Sequence, residues 1–310
     1  MNIATAMKIS PMIINRPDLA APVLFAPSRT EIGIRAGSAI QIEGRTHAFA
    51  SDTPVCLGDL TPGRDYGVSI DGEGKPFAEP VPSNPLGNRW FAGFHFAPGG
   101  CAQARAGGDV VPAVNPFSLW DVDFRFAGPD PRGMTMIELA GGRKAWVDIY
   151  LPGVDHHEHG TSRCGATIAD GRDLPMRPDG KTRFKRFDYA AAVELLAYHG
   201  KRLLTIEEFF AAAIGVQERC SRDGDPVVTG VLKDGAERFI SQRGAFDITG
   251  TVWQWATDGD PDEPRPSLIG GSWISGDNAG SRYASLGNWP DLSNGNLSAR
   301  GGGDHLQPVS

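Results

Sequence analysis

The chain has 310 residues, which is enough for two or three domains that each bury a core. Its formal net charge is -7. This argues against a nucleic-acid partner, because binding to a phosphate backbone depends on clustered Lys and Arg. The strongest basic run, residues 181–186, is interpreted as a solvated loop. No segment approaches the roughly eighteen apolar residues of a membrane span, and residues 1–27 lack the pattern of a signal peptide.

Composition also bears on local structure and on the redox environment. Glycine contributes 40 residues and proline 24, so turns and loops should outweigh long helices. The four cysteines, Cys56, Cys101, Cys164 and Cys220, are far apart and form no Cys-x-x-Cys pair. This spacing is typical of reduced thiols in a protein made in a cytosol rather than of a disulfide framework.

The first part of the chain predicts a small β-domain after an arm, residues 1–26, that has no periodicity. Apolar and polar residues alternate in three short segments around Ile32, Ile40 and Tyr66. A period of two indicates half-buried antiparallel strands. Residues 60–66 fit either a tyrosine corner, in which a Tyr hydroxyl is tied to nearby backbone, or an ordinary Pro-Gly turn.

The second half adds helices to further strands. Two strands are predicted over residues 134–139 and 145–150, and no helix is predicted before residue 186. Asp188 is a good N-cap for a helix that Gly200 stops, and Thr205 opens a capping box for a second helix through Ile214. The core-facing residues of the two helices are expected to be Val193, Leu196, Phe209, Phe210 and Ala213. Together these elements predict an α+β chain rather than alternating βαβ units.

Residues 267–306, which we name the tail, are the most informative part of the chain. They are too poor in consecutive apolar residues for a helix and too rich in Gly, Asn and Ser for regular strands. Yet they contain the bulky residues Trp273, Arg282, Trp289 and Arg300, which need a folded surround. The tail therefore predicts an ordered, irregular surface, and its composition matches that of antibody paratopes.

Motifs along the chain point to one family. Residues 200–213, 244–255 and 270–273 resemble the formylglycine-generating-enzyme family, whose fold is of the C-type lectin kind. Residues 279–284 and 299–306 are similar to the ending of the variable proteins of diversity-generating retroelements. Further motifs resemble the major tropism determinant family, trimeric receptor-binding proteins of phage tail fibres; they lie in residues 93–99, 118–125, 130–135 and 167–171. The resemblance runs from about Ile32 to Leu306.

The resemblance implies a C-type lectin fold over residues 121–310, with a variable region at about 268–306, preceded by a small β-sandwich domain over residues 27–120. It implies a homotrimer, at the tail-fibre tip of a virion or in the host cytoplasm before assembly. This homotrimer would bind a bacterial cell-surface receptor through its variable face. Two features depart from the family: its N-terminal phage-proximal domain has no counterpart beyond the short arm, and Gly303 replaces a usual Cys. A cellular variable protein with no role in a virion is the alternative.

The resemblance also sorts the residues of the tail and its lead-in by role. By matching positions, the fixed framework falls on Trp253, Trp255, Gly270, Gly271, Trp273, Gly280, Ser281, Arg282, Pro290, Ala299, Arg300 and Asp304. Buried Trp packing and Arg hydrogen bonds to loop carbonyls would hold the irregular backbone in place. The diversified, receptor-binding positions fall on Ser272, Ile274, Gly276, Asn278, Ser285, Gly287, Asn288, Leu292, Asn294, Asn296 and Leu297.

Asparagine and tryptophan in the tail each have two interpretations. Four of the diversified positions are Asn, which fits retroelement mutagenesis because that process alters adenines. Alternatively, Asn serves turns there. Trp289 is the candidate central anchor of the binding surface, or else a core residue.

An oxidase is the enzymatic alternative that the same fold suggests. Formylglycine-generating enzymes hold copper with two cysteine thiolates near the C-terminus, because Cu(I) needs soft sulfur ligands. The last cysteine here is Cys220, so we expect no such catalysis and no cofactor. Residues 155–159, Asp-His-His-Glu-His, offer possible metal ligands but are interpreted as a solvated polar loop. Residues 258–263 begin like a calcium loop and are interpreted as an acidic turn, so no metal is predicted.

Overall fold

The computed structural model describes residues 12–81, 89–259 and 265–307. The fold is mixed α+β and mostly sheet. Its helices are α1 (His156–His159), α2 (Tyr189–Ala197) and α3 (Ile206–Ala213), with two 3-10 turns at Ala140–Gly142 and Ala236–Phe239. Within the described ranges, no helix is long and apolar enough to cross a bilayer.

The first part of the chain is built from short strands. In chain order they are β1 (Ile13–Asn15), β2 (Leu24–Ser28), β3 (Glu31–Ile34), β4 (Ser38–Ile42), β5 (Arg45–Phe49), β6 (Thr53–Pro54), β7 (Cys56–Leu57), β8 (Arg64–Ile70), β9 (Pro76–Pro80), β10 (Ala92–Ala97), β11 (Ala113–Val114) and β12 (Trp120–Asp121). They form two three-stranded sheets, ordered β1-β4-β5 and β2-β3-β6, and one larger sheet ordered β11-β10-β8-β9-β7, in which β12 also pairs with β10. One apolar cluster, which includes Ile40, Val68 and Phe94, joins all three sheets.

The strands predicted around Ile32, Ile40 and Tyr66 are therefore present as β3, β4 and β8. The Tyr66 hydroxyl accepts a hydrogen bond from the Thr61 N–H at 2.7 Å, which is the tie that the tyrosine-corner interpretation requires. The predicted arm needs correction from residue 12 onward, because β1 pairs with β4. The rest of that arm lies outside the described residues.

The arm is also held by a buried carboxylate. Asp121 accepts a hydrogen bond from the Val23 N–H at 2.8 Å and forms an ion pair with Arg16 at 3.7 Å. Both side chains of the ion pair are almost completely buried. The segment around residues 16–23 is thus fixed against the end of the β-domain.

The second part of the chain contains two four-stranded sheets. Its strands are β13 (Met134–Glu138), β14 (Lys144–Asp148), β15 (Arg202–Leu203), β16 (Trp253–Gly259), β17 (Pro266–Ile269), β18 (Ala284–Ser285), β19 (Leu297–Ser298) and β20 (Gly301–Asp304). The sheet orders are β13-β14-β20-β15 and β18-β17-β16-β19. The last strand therefore lies between two strands from much earlier in the chain.

Glycine allows β20 to occupy that central place. A Cβ at Gly302 would lie 2.3 Å from the Leu204 side chain, and one at Gly303 would lie 2.1 Å from the Phe126 ring. Both distances are far below contact distance, so a side chain at either position would require Leu204 or Phe126 to move. The Gly303 that departs from the family pattern is thus matched here by an aromatic ring that fills the space.

Both predicted helices are present, with the predicted caps. Asp188 accepts from the Ala191 N–H at the start of α2, and Thr205 forms a complete capping box with Glu208 at the start of α3. The helix α2 ends at Ala197, two residues before its predicted end. The expectation that Val193 faces the core is wrong, because its side chain is 39% exposed.

The segment predicted as a solvated polar loop is also different. Residues 156–159 form the short helix α1, so a helix does occur before residue 186. Its first residue, His156, is buried, and its ring meets the ring of His199 edge to face, with centroids 5.5 Å apart. Tertiary packing against the end of α2 accounts for this order, since a single turn is too short to be stable by itself.

Candidate functional site

The tail is anchored to the second part of the chain by one buried arginine. Arg300 is fully buried and donates to the side-chain oxygen of Gln254 at 2.9 Å and to the Phe246 carbonyl at 2.7 Å. It also donates to the carbonyls of Asp148 and Ile149, at 2.7 and 3.0 Å. One side chain therefore satisfies acceptors on three separate segments, and burial lowers its pKa to about 10.

A buried ion pair lies beside this arginine. Lys201 Nζ is 2.6 Å from Asp148 Oδ1, and both side chains are almost inaccessible to solvent. Burial raises the pKa of the Asp148 carboxyl, while Lys201 and then Arg300 oppose that shift. Lys201 and Asp148 neutralise each other, as buried charges require, while Arg300 is held by hydrogen bonds to uncharged oxygens.

Aromatic packing and tight turns complete the anchoring. Trp255 is fully buried and meets the Tyr189 ring edge to face, at 5.8 Å between centroids. Gly271 has a φ of +78°, and a Cβ there would lie 2.5 Å from the Ala279 Cβ. A side chain at this position would be strained by the backbone and blocked by its neighbour. The chain can make this turn only with glycine.

The remaining predicted framework residues differ in burial. Trp273 is only half-buried, and its backbone N–H donates to the Thr251 carbonyl at 3.0 Å. Arg282 is exposed and makes no hydrogen bond among the described residues, so the expectation that it binds loop carbonyls is corrected. Asp304 is exposed and pairs with Arg202 at 2.9 Å. Trp253 is half-buried and Pro290 is exposed. The other framework residues are buried: Gly270, Gly271, Gly280, Ser281, Ala299 and Arg300.

The predicted receptor-binding residues also differ in burial. The exposed ones are Ile274, Gly276, Asn278 and Asn294. The half-buried ones are Ser285, Gly287, Asn288, Leu292 and Asn296. Ser272 and Leu297 are buried, which disagrees with the expectation that these two residues contact a receptor directly. Leu297 packs in the apolar cluster that contains Trp255.

Asn288 has a structural contact of its own. Its side-chain amide donates to the Ser285 carbonyl at 2.6 Å and to the Pro266 carbonyl at 3.4 Å. This is the turn-stabilising behaviour that was the alternative interpretation of asparagine in the tail. Asn294, in contrast, is exposed, and its backbone carbonyl accepts from the Gly171 N–H at 3.1 Å.

Trp289 lies at the surface rather than in the core. Its side chain is 60% exposed, and the guanidinium of Arg265 lies over its ring, 3.7 Å from the centroid. A guanidinium at this distance forms a cation–π contact. Ile274, also in the tail, is 62% exposed. Leu286 is 57% exposed, so the tail presents three large apolar side chains among small polar ones.

Sequence reasoning missed residues that hold the tail from outside it. Glu218 accepts hydrogen bonds from both the backbone N–H and the hydroxyl of Ser281. Phe187, also outside the tail, donates its backbone N–H to the Ser293 hydroxyl at 2.9 Å. No local pattern could have revealed these partners, because they lie far from the tail in the sequence. Arg265, which covers Trp289, was also not predicted.

The described residues contain no group of three or more His, Cys, Asp or Glu that could hold a metal ion. The four cysteines are free thiols. Burial raises the pKa of Cys101 to about 12 and that of Cys164 to about 11. Residues 260–263 of the predicted acidic turn lie outside the described residues.

An ordered, irregular and largely polar surface on a buried framework defines a class of recognition proteins, in which a rigid scaffold presents adaptable loops. Residues 22–121 match the family model described as Mtd second domain. The chain is 34% identical to the tail fiber receptor-binding protein of Bordetella phage BPP-1, over 94% of this chain and 84% of that protein. It therefore belongs to the family of this phage receptor-binding protein.

Solved structures of the same family are similar throughout. The U1 variant of the Major Tropism Determinant matches with a TM-score of 0.88 and 33% identity, over 94% of this chain and 86% of that chain. The M1 variant matches with the same TM-score and identity, over 96% and 86%. At this identity and coverage, the similarity extends from the β-domain through the tail.

Proposed function

We propose that this chain is the receptor-binding protein of a phage tail fibre and that its tail contacts a receptor on the bacterial surface. The observation that carries the proposal is the tail itself: a loop surface with exposed Ile274, Asn294 and Trp289, held by the buried Arg300. Large rigid side chains among small polar ones supply both contact area and adaptable hydrogen bonds. Family membership supports the same role.

The finer architecture is part of the proposal. Residues 121–310 form a C-type lectin fold, and residues 27–120 form a β-sandwich domain. In support, β20 at the end of the chain pairs with β14 near the start of the second part, which closes that part as a unit. The separate apolar cluster of the first part, with its own sheets, supports the division.

The positions that vary between relatives would be those that the surface exposes. Ile274, Gly276, Asn278 and Asn294 meet this condition, and five half-buried positions border it. A diversity-generating retroelement would then exchange receptor contacts without disturbing the buried framework. The test is the surrounding DNA, where a near-identical template repeat that differs at adenines is expected. If no such repeat is present, the surface is not diversified by a retroelement.

We expect no oxidase activity from the fold. The tail contains no cysteine, so the pair of thiolates that would hold copper near the C-terminus is missing from the sequence. The raised pKa values of Cys101 and Cys164 also keep these thiols protonated at neutral pH. Purified protein given copper, oxygen and a cysteine-containing sulfatase peptide should leave the peptide mass unchanged. Conversion of the thiol to an aldehyde would overturn this expectation.

A homotrimer carried on the virion is the assembly that we propose. One adaptable polar face binds weakly, and three linked faces raise avidity by about 10²–10⁴ where geometry permits. Light scattering of the purified protein should give three times the chain mass of 33.1 kDa. A monomer at micromolar concentration would contradict it.

The decisive test of receptor binding exchanges several exposed tail residues together. In the test variant, Ile274→Ser, Asn278→Ser and Asn294→Ser are combined with Trp289→Ala, and labelled protein is added to a panel of bacterial strains. Wild-type protein should bind at least one strain, and the variant should lose or redirect this binding while its melting temperature stays the same. Single exchanges should do less, because a minority of interface residues carries most of the energy. A matched control exchanges exposed residues of the β-domain. Equal binding by the test variant would place the receptor contact elsewhere.

A further inference from the structure

A basic groove lies beside the tail, in the segment that precedes α2. Residues 172–186 contain six basic and two acidic residues, in a chain whose net charge is -7. Four of these cations, Arg177, Arg183, Lys185 and Arg186, line the groove together with the first turn of α2. The segment is therefore locally positive although the whole chain is negatively charged.

Part of this charge is not neutralised by the protein. Arg177 is paired with Glu194 at 2.8 Å. Arg183 and Lys185 are exposed and form no ion pair within the part of the chain that the structure describes. Arg183 donates instead to the Leu174 carbonyl at 2.5 Å, which leaves its charge uncompensated. Asp188 and Glu194 also line the groove, so its four cations exceed its carboxylates by two, and Arg183 and Lys185 remain for an anionic ligand.

The groove adjoins the tail directly. The backbone N–H of Tyr189 donates to the Pro290 carbonyl at 3.1 Å. Arg186 reaches the Asp291 carbonyl at 3.4 Å, and its ion pair with the Asp291 carboxylate, at 3.5 Å, joins two exposed side chains. A ligand that occupied the groove would consequently extend along the face that carries Asn294 and Trp289.

The chemistry of the groove favours a charged glycan over a protein. Its apolar lining consists of Ala190, Ala191 and the buried Phe184, so it lacks the large apolar pocket that a protein anchor residue would fill. Arginine and lysine are well suited to phosphate and carboxylate groups, arginine through two parallel hydrogen bonds. The ring of Trp289 at the neighbouring edge is 60% exposed although Arg265 lies over it, and its exposed part offers apolar surface to a sugar.

We propose that this groove binds the anionic group, a phosphate or a carboxylate, of a bacterial surface glycan. The inference rests on the proposed function, because it adds a second contact to the same receptor face. The cations lie outside the tail, at positions 177–186, and exchange of tail residues therefore leaves them in place. The groove supplies a constant, charge-dependent contact, and the tail supplies the selective one.

The experiment removes the two unpaired charges and compares two anionic probes. The groove variant carries Arg183→Gln and Lys185→Gln, and a second variant carries Lys185→Glu alone. The control carries Arg45→Gln and Lys233→Gln, two exposed cations outside the groove that form no ion pair among the described residues. Binding to immobilised lipopolysaccharide, which bears phosphates, and to alginate, which bears carboxylates, is measured at low and high salt. Neutral dextran and polyglutamate serve as reference surfaces.

Wild type and control should bind at least one anionic glycan, more weakly at high salt because exposed charges are screened. The probe that is bound identifies phosphate or carboxylate as the ligand group. The groove variant should bind about 2- to 30-fold more weakly, the range for two exposed charge pairs, with an unchanged melting temperature. Lys185→Glu should weaken binding in the same direction.

Several results would overturn the inference: equal binding by the groove variant, equal binding to dextran, no binding to either anionic glycan, or binding to polyglutamate alone. Polyglutamate alone would indicate an acidic protein as the partner. The bacterial panel, run in parallel, separates this failure from that of the proposed function. If the protein binds cells but neither glycan, only the proposal for the groove is wrong. If it binds no strain, the proposed receptor-binding function itself is wrong.

Discussion

The tail contains two kinds of segment that share a composition but not an environment. Residues 267–272 and 297–303 are buried throughout, while the loops between them, around residues 274–278 and 284–294, are exposed or half-buried. Both kinds are rich in Gly and Ser. The buried segments pair in sheets as β17, β19 and β20, and the loops have few such bonds. The difference indicates that sheet position, rather than residue type, decides which parts of the tail are framework.

The largest expected effect comes from the central buried arginine. Arg300→Met would remove a donor from four buried acceptor oxygens, of which only that of Ile149 is known to keep another, the Phe246 backbone N–H, and it should cost about 3–5 kcal/mol of folding free energy. Urea unfolding measures the loss. The matched control is Arg282→Met in the exposed loop, which should stay within about 0.5 kcal/mol of wild type. Similar losses for both variants would break the contrast between framework and loop.

Two tryptophans give the next comparison. Trp255→Ala removes a fully buried ring from the cluster around Leu268 and Leu297 and should cost about 3–5 kcal/mol. Trp273→Ala removes a half-buried ring and should cost clearly less. Thermal and urea unfolding of both variants give the order. A larger loss for Trp273 would mean that the half-exposed loop carries more of the fold than its burial indicates.

Acid should destabilise the fold through the buried His156 of helix α1. Burial, and then the charges of Lys201 and His199, holds the pKa of His156 well below its ordinary value of 6.5. Because the folded pKa lies below the unfolded one, the stabilisation is complete above pH 6.5 and is lost as the pH falls through that value. The loss of folding free energy between pH 6.5 and pH 5 is at most about 2 kcal/mol.

The check compares melting temperatures between about pH 7.5 and pH 5. His156→Leu, which cannot titrate, should show a smaller fall than wild type. His47→Gln on strand β5 is the control and should fall as wild type does. If wild type and His156→Leu have parallel profiles, the buried histidine does not govern acid sensitivity.

The smallest effect is expected from the exposed loops. Ile274→Ser and Asn294→Ser should each change the free energy of unfolding by less than about 0.5 kcal/mol. Ser272→Tyr sharpens the comparison, because this position is buried although it was predicted to be variable. Overpacking there should cost about 1–3 kcal/mol. If the Ser272→Tyr variant is as stable as wild type, position 272 accommodates a large side chain and belongs with the receptor-binding surface.

The sequence by itself determined the features that depend on local chemistry. The caps Asp188 and Thr205 and the alternating strands around Ile40 and Tyr66 were predictable from neighbouring residues. The expectation that the tail has no regular strands was wrong, because β17 to β20 pair in the two sheets of the second part. Family motifs added the resemblance to phage receptor-binding proteins, which the comparisons confirm. Local patterns suffice here because a cap or a strand face is set by residues within a few positions.

Only the tertiary structure decided which tail residues are buried. Ser272 and Leu297 match variable positions yet are covered by the rest of the chain, and Arg282 matches a framework position yet is exposed. The order of α1 and the hydrogen bonds of Arg300 likewise depend on partners tens to more than a hundred residues away. Burial is a property of the whole packed chain, so no window of sequence contains it. The basic segment shows the same limit: its cations were predictable, but their alignment along a groove beside the tail was not.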